Sequence, residues 1–266
     1  MKWIKQRVMD GELLAGVFLN LGAGCAAEIA GRAGFDWVLL DTEHGLGGEA
    51  ALVEGLQGAR LGDVCPIVRV LANEAGYFKR ALDAGAAGIM VPHINRAEDA
   101  RRAVQHMKYP PEGARGLSRS SRATAFGYDA SAYFRDVGEG GLLVLQIETK
   151  EAVEQIDGIA AVPGVDVLFV GPADLSFSCG VPCELDHPVL RAALEKVAQA
   201  ARHHGKRTGI FLRDAEQLPA VVAAGFTLIA LETDLGILKA GLENAARTLG
   251  SWKKPGPPST QLQDPR

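Results

Sequence analysis

Short apolar, β-branched runs alternate along the chain with longer stretches of helical period. That alternation predicts βαβ units around a parallel sheet. Eight strand-like runs stand out, at 14–21, 37–42, 66–71, 88–92, 142–148, 165–170, 208–212 and 227–232. Each is apolar almost throughout, as a strand covered on both faces requires. The intervening segments carry helix signals. Asn73 opens one whose Tyr77, Phe78, Ala81 and Leu82 share a face, and Gly85 closes it. His187-Pro188 opens another that runs to Gly205, an Ala-rich stretch at 214–224 stops at Gly225, and a last helix is expected over 235–252. Segment 254–266 is rich in Pro and polar residues and has no pattern capable of packing, so it is expected to be a flexible tail behind a single domain spanning 1–253. Eight βα units fit a (β/α)8 barrel, although a doubly wound sheet also holds that number. A long interruption at 109–141, carrying Pro110, Pro111, Gly113 and Gly116, reads as a functional or disordered loop.

Composition narrows the class without changing the fold. The 266 residues, 47% apolar and 23% charged, are ordinary globular usage, and barrels of this length form one domain. The formal charge is −4 with no basic stripe, which argues against nucleic acid and anionic membrane as partners. The opening MKWIKQRVMD lacks an apolar core followed by a small-residue cleavage site, and nothing approaches a span of about 20 apolar residues, so a cytoplasmic location is expected. Cys25, Cys65, Cys179 and Cys183 are too few to staple a chain this long, and Cys179 and Cys183 lack a second pair to close a zinc site. They read as buried or incidental thiols.

The chemistry decides for the barrel, whose active site lies at the C-terminal ends of its strands. Reactive side chains end these runs: Asp41-Thr42-Glu43-His44 after the second, Arg69 in the third, His93 after the fourth, Gln146-Ile147-Glu148 on the fifth, and Gly171-Pro172-Ala173-Asp174 after the sixth. Charges finishing apolar strands are costly unless something at the barrel mouth pairs with them. Glu148 and Asp174 on neighbouring strands suit a hard, water-rich cation such as Mg2+ or Mn2+. Helix capping by Asp174, and a contact of Glu148 with Arg69, is the structural alternative. Arg69 presents a planar fork of donors for a substrate carboxylate or an enolate oxygen, unless it pairs with Asp41 or Glu43. His44 at a strand-to-loop junction is a general base oriented by Asp41, whereas His93 reads as a rim residue without a catalytic role. Lys150 opens a helix beside Glu151 and is expected at the surface, which disfavours a Schiff-base mechanism.

At these residues the sequence resembles the HpcH/HpaI family of class II, metal-dependent pyruvate aldolases. The matching blocks are Asp36-Trp37-Val38-Leu39-Leu40-Asp41-Thr42-Glu43-His44, Val68-Arg69-Val70, the run from Leu82 to Pro92, the Pro110-Pro111-Glu112-Gly113-Ala114-Arg115-Gly116 loop, Gln146-Ile147-Glu148-Thr149 and the run from Val170 to Ser176, in family order over almost the whole chain. The resemblance implies a (β/α)8 barrel of the pyruvate-binding type that makes or breaks a C–C bond between pyruvate, as its enolate, and an aldehyde. It implies Glu148 and Asp174 as ligands of a divalent cation (Mg2+, Mn2+ or Co2+), and Arg69 as the enolate-stabilising cation. His44 with Asp41 becomes the acid–base pair, buttressed by Asp83. Gln146 and the backbone at Gly171, Pro172 and Ala173 become the receptor of the 2-oxo acid. It further implies a homo-oligomer, commonly a hexamer with swapped terminal helices. Gly45-Leu46-Gly47-Gly48 and Phe177-Ser178-Cys179 depart from the best-known members, and these loops face the substrate beyond pyruvate. The acceptor aldehyde therefore stays open. So do related enolate chemistry, such as citrate synthesis or an acyl-CoA lyase, and a non-catalytic dicarboxylate-binding barrel.

Overall fold

The computed structural model describes residues 1–250 and Trp252. The expected tail at 254–266 lies outside the described residues. Eight parallel strands close into a barrel in sequence order: β1 (Leu14–Leu19), β2 (Trp37–Asp41), β3 (Cys65–Arg69), β4 (Gly88–Val91), β5 (Leu142–Ile147), β6 (Val167–Val170), β7 (Arg207–Leu212) and β8 (Leu228–Thr233), with β8 pairing back onto β1. The helices are α1 (Lys5–Asp10), α2 (Gly24–Arg32), α3 (Glu49–Leu61), α4 (Ala75–Ala84), α5 (Ala97–Met107), α6 (Ala130–Gly140), α7 (Lys150–Glu154), α8 (Ile156–Ala160), α9 (Pro172–Cys179), α10 (Pro188–His203), α11 (Leu218–Ala224) and α12 (Asp234–Gly250). No helix among the described residues is long and apolar enough to cross a membrane.

All eight predicted strands form, and most stop one or two residues short of the predicted C-terminal edge, because the residues there turn into the loops of the mouth. The helix expected to open at Asn73 starts at Ala75 instead, since the Asn73 amide donates to the Asp99 carbonyl (2.9 Å). His187 caps α10 as expected, its Nδ1 accepting the Val189 N–H at 3.3 Å. The stretch at 214–224 divides into a short 3-10 turn and α11, which Gly225 ends in the left-handed conformation at φ 103°. A third of the long interruption is not loop at all but α6, which buries Tyr133 and Val137 one turn apart.

Two cores follow from strand alternation. Outward side chains such as Val38, Val68, Leu143 and Leu168 pack under the helices. Inward ones, among them Leu14, Phe18, Trp37, Leu39, Ile67, Met90, Val144, Phe169, Leu228 and Ala230, fill the barrel. Trp37 and Phe169 meet edge to face at 6.2 Å, and Phe18 lies 6.1 Å from Phe169. Room for the indole exists because position 16 is glycine: a Cβ there would stand 2.0 Å from Trp37 Cε2. The interior is thus a packed floor, and only its upper layer is polar.

Candidate active site

One alternation above this floor the inward positions change character. They become Asn20 beyond β1, Asp41 on β2, Arg69 on β3, Gln146 on β5 and Glu148 just past it, all buried. Arg69 is the hub. Its Nε and Nη2 meet the two oxygens of Asp41 at 2.9 and 2.7 Å, its Nη1 lies 3.0 Å from Glu43 and 3.5 Å from Gln146 Oε1, and its Cζ stands 5.5 Å over Phe18. Burial opposes the charge of both partners. The mutual hydrogen bonds and attraction outweigh it, holding the Asp41 carboxyl below its ordinary value and the Arg69 guanidinium above.

The expected orientation of the His44 imidazole by Asp41 is not the contact made. Asp41 accepts from Arg69, from Asn20 Nδ2 (2.6 Å), and from the backbone N–H groups of Glu43 (3.1 Å) and His44 (3.3 Å). A bidentate guanidinium is a stronger claimant on a carboxylate than a neutral imidazole. Asp41 thus shapes the turn that carries His44, while the imidazole is 67% exposed with Nε2 3.9 Å from Glu43.

Asp83 is also corrected within the single chain. Helices run back down a barrel, so the penultimate residue of α4 lies toward the end opposite the mouth. There it accepts from Arg115 Nη2 (3.0 Å), whose guanidinium stacks on Tyr109 at 4.5 Å. The buried Arg115 claims Asp83, and Asp83 does not touch Asp41 or His44.

Glu148 is 3% exposed, and none of its direct partners is a Lys or Arg. Oε1 accepts the His93 N–H at 2.7 Å and lies 3.2 Å from His93 Nδ1, and Oε2 accepts from Gln146 Nε2 at 2.7 Å. Burial first, then the charges of Asp174 and Glu43, push its carboxyl above the ordinary value, against the opposing pull of His93. Asp174 faces solvent in the first turn of α9, where a carboxylate is also favoured by the helix dipole. The N–H groups of Ala173 and Asp174 have no protein acceptor among the described residues, and Pro172 starts the helix without an N–H to satisfy. Gly171 closes the cradle: a Cβ there would sit 3.2 Å from both Glu148 Oε2 and Gln146 Nε2.

Four carboxylates, Asp41, Glu43, Glu148 and Asp174, therefore share the mouth around one buried guanidinium that is already paired. A surplus of negative charge under partial burial fits a divalent cation with oxygen ligands and retained waters. Among the described residues no group of three or more His, Cys, Asp or Glu is placed to hold a metal ion.

Sequence reasoning missed Glu43 and His93. Glu43 was visible only as an alternative partner of Arg69, yet its 9% exposed side chain also lies 3.5 Å from His93 Nε2. His93 adopts φ 54°, a left-handed conformation uncommon outside glycine and concentrated at functional sites, and nothing in the sequence announces it. Lys150 is exposed beside Glu154, as expected, and all four cysteines are free thiols.

The sequence profile of the HpcH/HpaI aldolase/citrate lyase family matches residues 14–240. A pyruvate aldolase from Rhizobium etli is 38% identical over 242 residues, covering 91% of this chain and 95% of its own. A 5-keto-4-deoxy-D-glucarate aldolase from Salmonella arizonae is 36% identical over 233 residues, covering 88% and 91%. The crystal structure of a family member from Burkholderia cenocepacia superposes with a TM-score of 0.87 at 35% identity, covering 93% of this chain and 98% of that one. With near-full coverage on both sides and the family's blocks at the strand ends, this chain belongs to the HpcH/HpaI aldolase/citrate lyase family.

Proposed function

We propose that the protein is a divalent-metal-dependent aldolase that forms or cleaves the C3–C4 bond of 4-hydroxy-2-oxo acids, releasing or consuming pyruvate and an aldehyde. The observation that carries this reading is Glu148, a buried carboxylate with no Lys or Arg partner, beside Asp174 and the open N–H groups of α9. Glu148 and Asp174 would hold Mg2+, Mn2+ or Co2+, which supplies Lewis acidity to a bound 2-oxo acid. The N–H groups at Ala173 and Asp174, with Gln146, receive the substrate's oxygens, and Gly171 leaves room for them. Arg69 lowers the energy of the enolate by donating to its developing negative oxygen. In cleavage His44 removes the 4-hydroxyl proton, the C3–C4 pair passes to C3, and the aldehyde departs; in synthesis His44 returns that proton to the new alkoxide. Incubating pyruvate with a panel of aldehydes and following aldol formation by NMR tests this reading. Absence of any adduct in metal-supplemented enzyme would overturn it.

Arg69→Lys should lose at least about tenfold in kcat/KM, roughly 1.4 kcal/mol, because an ammonium cannot reproduce the fork that meets Asp41, Glu43 and the enolate together. A smaller loss in steady-state kinetics would reduce Arg69 to an ion-pair partner.

The reading extends to a cytoplasmic homo-oligomer. Helix α12 has no buried residue, and Leu235, Ile237, Leu238, Leu242 and Leu249 along it are exposed. An apolar surface of this kind marks an interface. Sedimentation velocity at micromolar concentration should return a multiple of the 28.1 kDa chain, a hexamer foremost. A monomer would refute it.

A further inference from the structure

Asn20 stands one alternation above Phe18, just past the end of β1, and is 9% exposed. Three elements meet on it. Its backbone N–H donates to Asp234 Oδ1 at the start of α12 (2.8 Å), where Asp234 Oδ2 also takes the Leu21 N–H (3.1 Å). Its carbonyl accepts the Leu46 N–H (2.7 Å) from the loop that follows His44. Its side-chain Nδ2 donates to Asp41 Oδ2 at 2.6 Å. Any residue other than proline would make the first two contacts through its backbone, so only the third depends on asparagine.

That third contact has a cost. An ionised carboxylate accepts and cannot donate, so Asp41 fixes the amide with Nδ2 toward itself and Oδ1 turned away. Oδ1 is buried with no hydrogen-bond partner among the described residues. A buried acceptor without a donor is destabilising, and an apolar side chain here would avoid it. Such a violation persists where the other end of the group is needed at a site. Asp41 Oδ2, the oxygen Asn20 reaches, also meets Arg69 Nη2 (2.7 Å), while Oδ1 takes Arg69 Nε and the N–H groups of Glu43 and His44. The amide and the guanidinium thus share one oxygen, and each donor lessens the pull of that oxygen on the other.

We propose that Asn20 is a positioning residue of the site: by donating to Asp41 it holds that carboxylate beneath the His44 turn and keeps the Arg69 fork from being fully neutralised, so that the fork stays available to the enolate. The proposal rests on the aldolase reading and adds to it a residue that acts through Asp41 and Arg69. The charged and titratable groups around the contact are Arg69 on β3, Glu43 and His44 after β2, and Asp234 on α12, with Glu148 acting through Arg69. All are common to the native protein and to variants of position 20, so the ratio of variant to native at each pH isolates the substituted group.

The test measures pyruvate C3 proton exchange by the native enzyme, Asn20→Ala and Asn20→Asp from mildly acid to mildly alkaline buffer. Asn20→Ala removes the donor and should lower kcat about tenfold, the usual worth of a hydrogen bond to a charged group, with little change in the KM for pyruvate. Asn20→Asp keeps the shape but sets a carboxyl against a carboxylate, so the two share a proton and the pair titrates above the ordinary range. Protonated, the introduced carboxyl donates to Asp41 as the amide does; ionised, it repels Asp41 and draws on Arg69. Relative to native, Asn20→Asp should therefore recover as pH falls, whereas Asn20→Ala stays flat. A pH-independent ratio for Asn20→Asp, or a loss of less than about threefold in Asn20→Ala, would overturn the proposal. Thermal midpoints in the same buffers read the contact without turnover. The folded variant holds the shared proton to higher pH than the unfolded chain does, so the stability deficit of Asn20→Asp should widen as pH rises and close as it falls. A deficit that ignores pH refutes the contact. No exchange by the native enzyme would sink the aldolase reading itself, and differs from failure of the proposal alone, in which the native enzyme exchanges pyruvate and the ratios are flat.

Discussion

Glu148→Ala should abolish aldol cleavage and pyruvate C3 proton exchange together, and EDTA should do the same to the native protein until Mg2+, Mn2+ or Co2+ is restored. Both expectations follow from the charge distribution. Glu148 is buried, shares its surroundings with Asp174 and Glu43, and has only His93 and Gln146 as direct side-chain partners. Such a carboxylate is expensive unless a cation arrives, and removing it leaves Asp174 alone at the solvent edge, too weak a ligand set for a hard cation. The raised Glu148 carboxyl adds a pH dependence with a definite sign. Protons compete with the cation at higher pH than they would at an ordinary glutamate, so the apparent metal Kd should rise as pH falls toward the acid range. Retro-aldol rate, deuterium exchange at pyruvate C3 and metal titration at several pH values measure all three effects. Full activity in excess chelator, or a borohydride-trapped covalent adduct, would exclude the metal reading and reopen an amine mechanism.

The barrel was legible because its eight strands are apolar on both faces, a pattern that side-chain periodicity carries openly. The strand-end carboxylates were legible for the converse reason: Glu148 and Asp41 finish runs in which a charge has no business unless a site requires it. Pairing was not legible. Asp41 could equally have met His44 or Arg69, and the choice depends on which donor reaches it first across β2 and β3, where the register sets Asp41 opposite Arg69. Position along a helix axis was also hidden. Asp83 precedes a strand in sequence but sits low on α4, where Arg115 takes it. Helix α6 escaped notice because Gly138 and Gly140 dilute its period, and burial of Tyr133 and Val137 forms it regardless. His93 went unassigned because backbone conformation, not residue type, brings it to Glu148.

His44→Ala separates proton transfer from enolisation, since the two halves of the reaction need different groups. Enolising bound pyruvate calls on the cation held by Glu148 and Asp174 and on the Arg69 fork, whereas cleaving a 4-hydroxy-2-oxo acid additionally needs a base at the 4-hydroxyl. The geometry keeps these functions apart. Arg69 is locked below by Asp41, Glu43 and Phe18, while the His44 imidazole projects into solvent and meets only Glu43, at 3.9 Å. Losing the imidazole therefore leaves the Arg69 network in place, because the turn that carries it is fixed through the His44 backbone N–H to Asp41. Cleavage should fall by about 10²-fold or more, the usual worth of a positioned acid–base group, while pyruvate exchange and metal affinity persist. Paired measurement of retro-aldol rate and C3 exchange in the same preparation reads this directly. Near-normal cleavage would move the base to His93, which already lies between Glu43 and Glu148 at 3.5 and 3.2 Å. Loss of metal binding together with cleavage would instead make His44 a ligand or a structural prop, and the division of labour drawn here would be wrong.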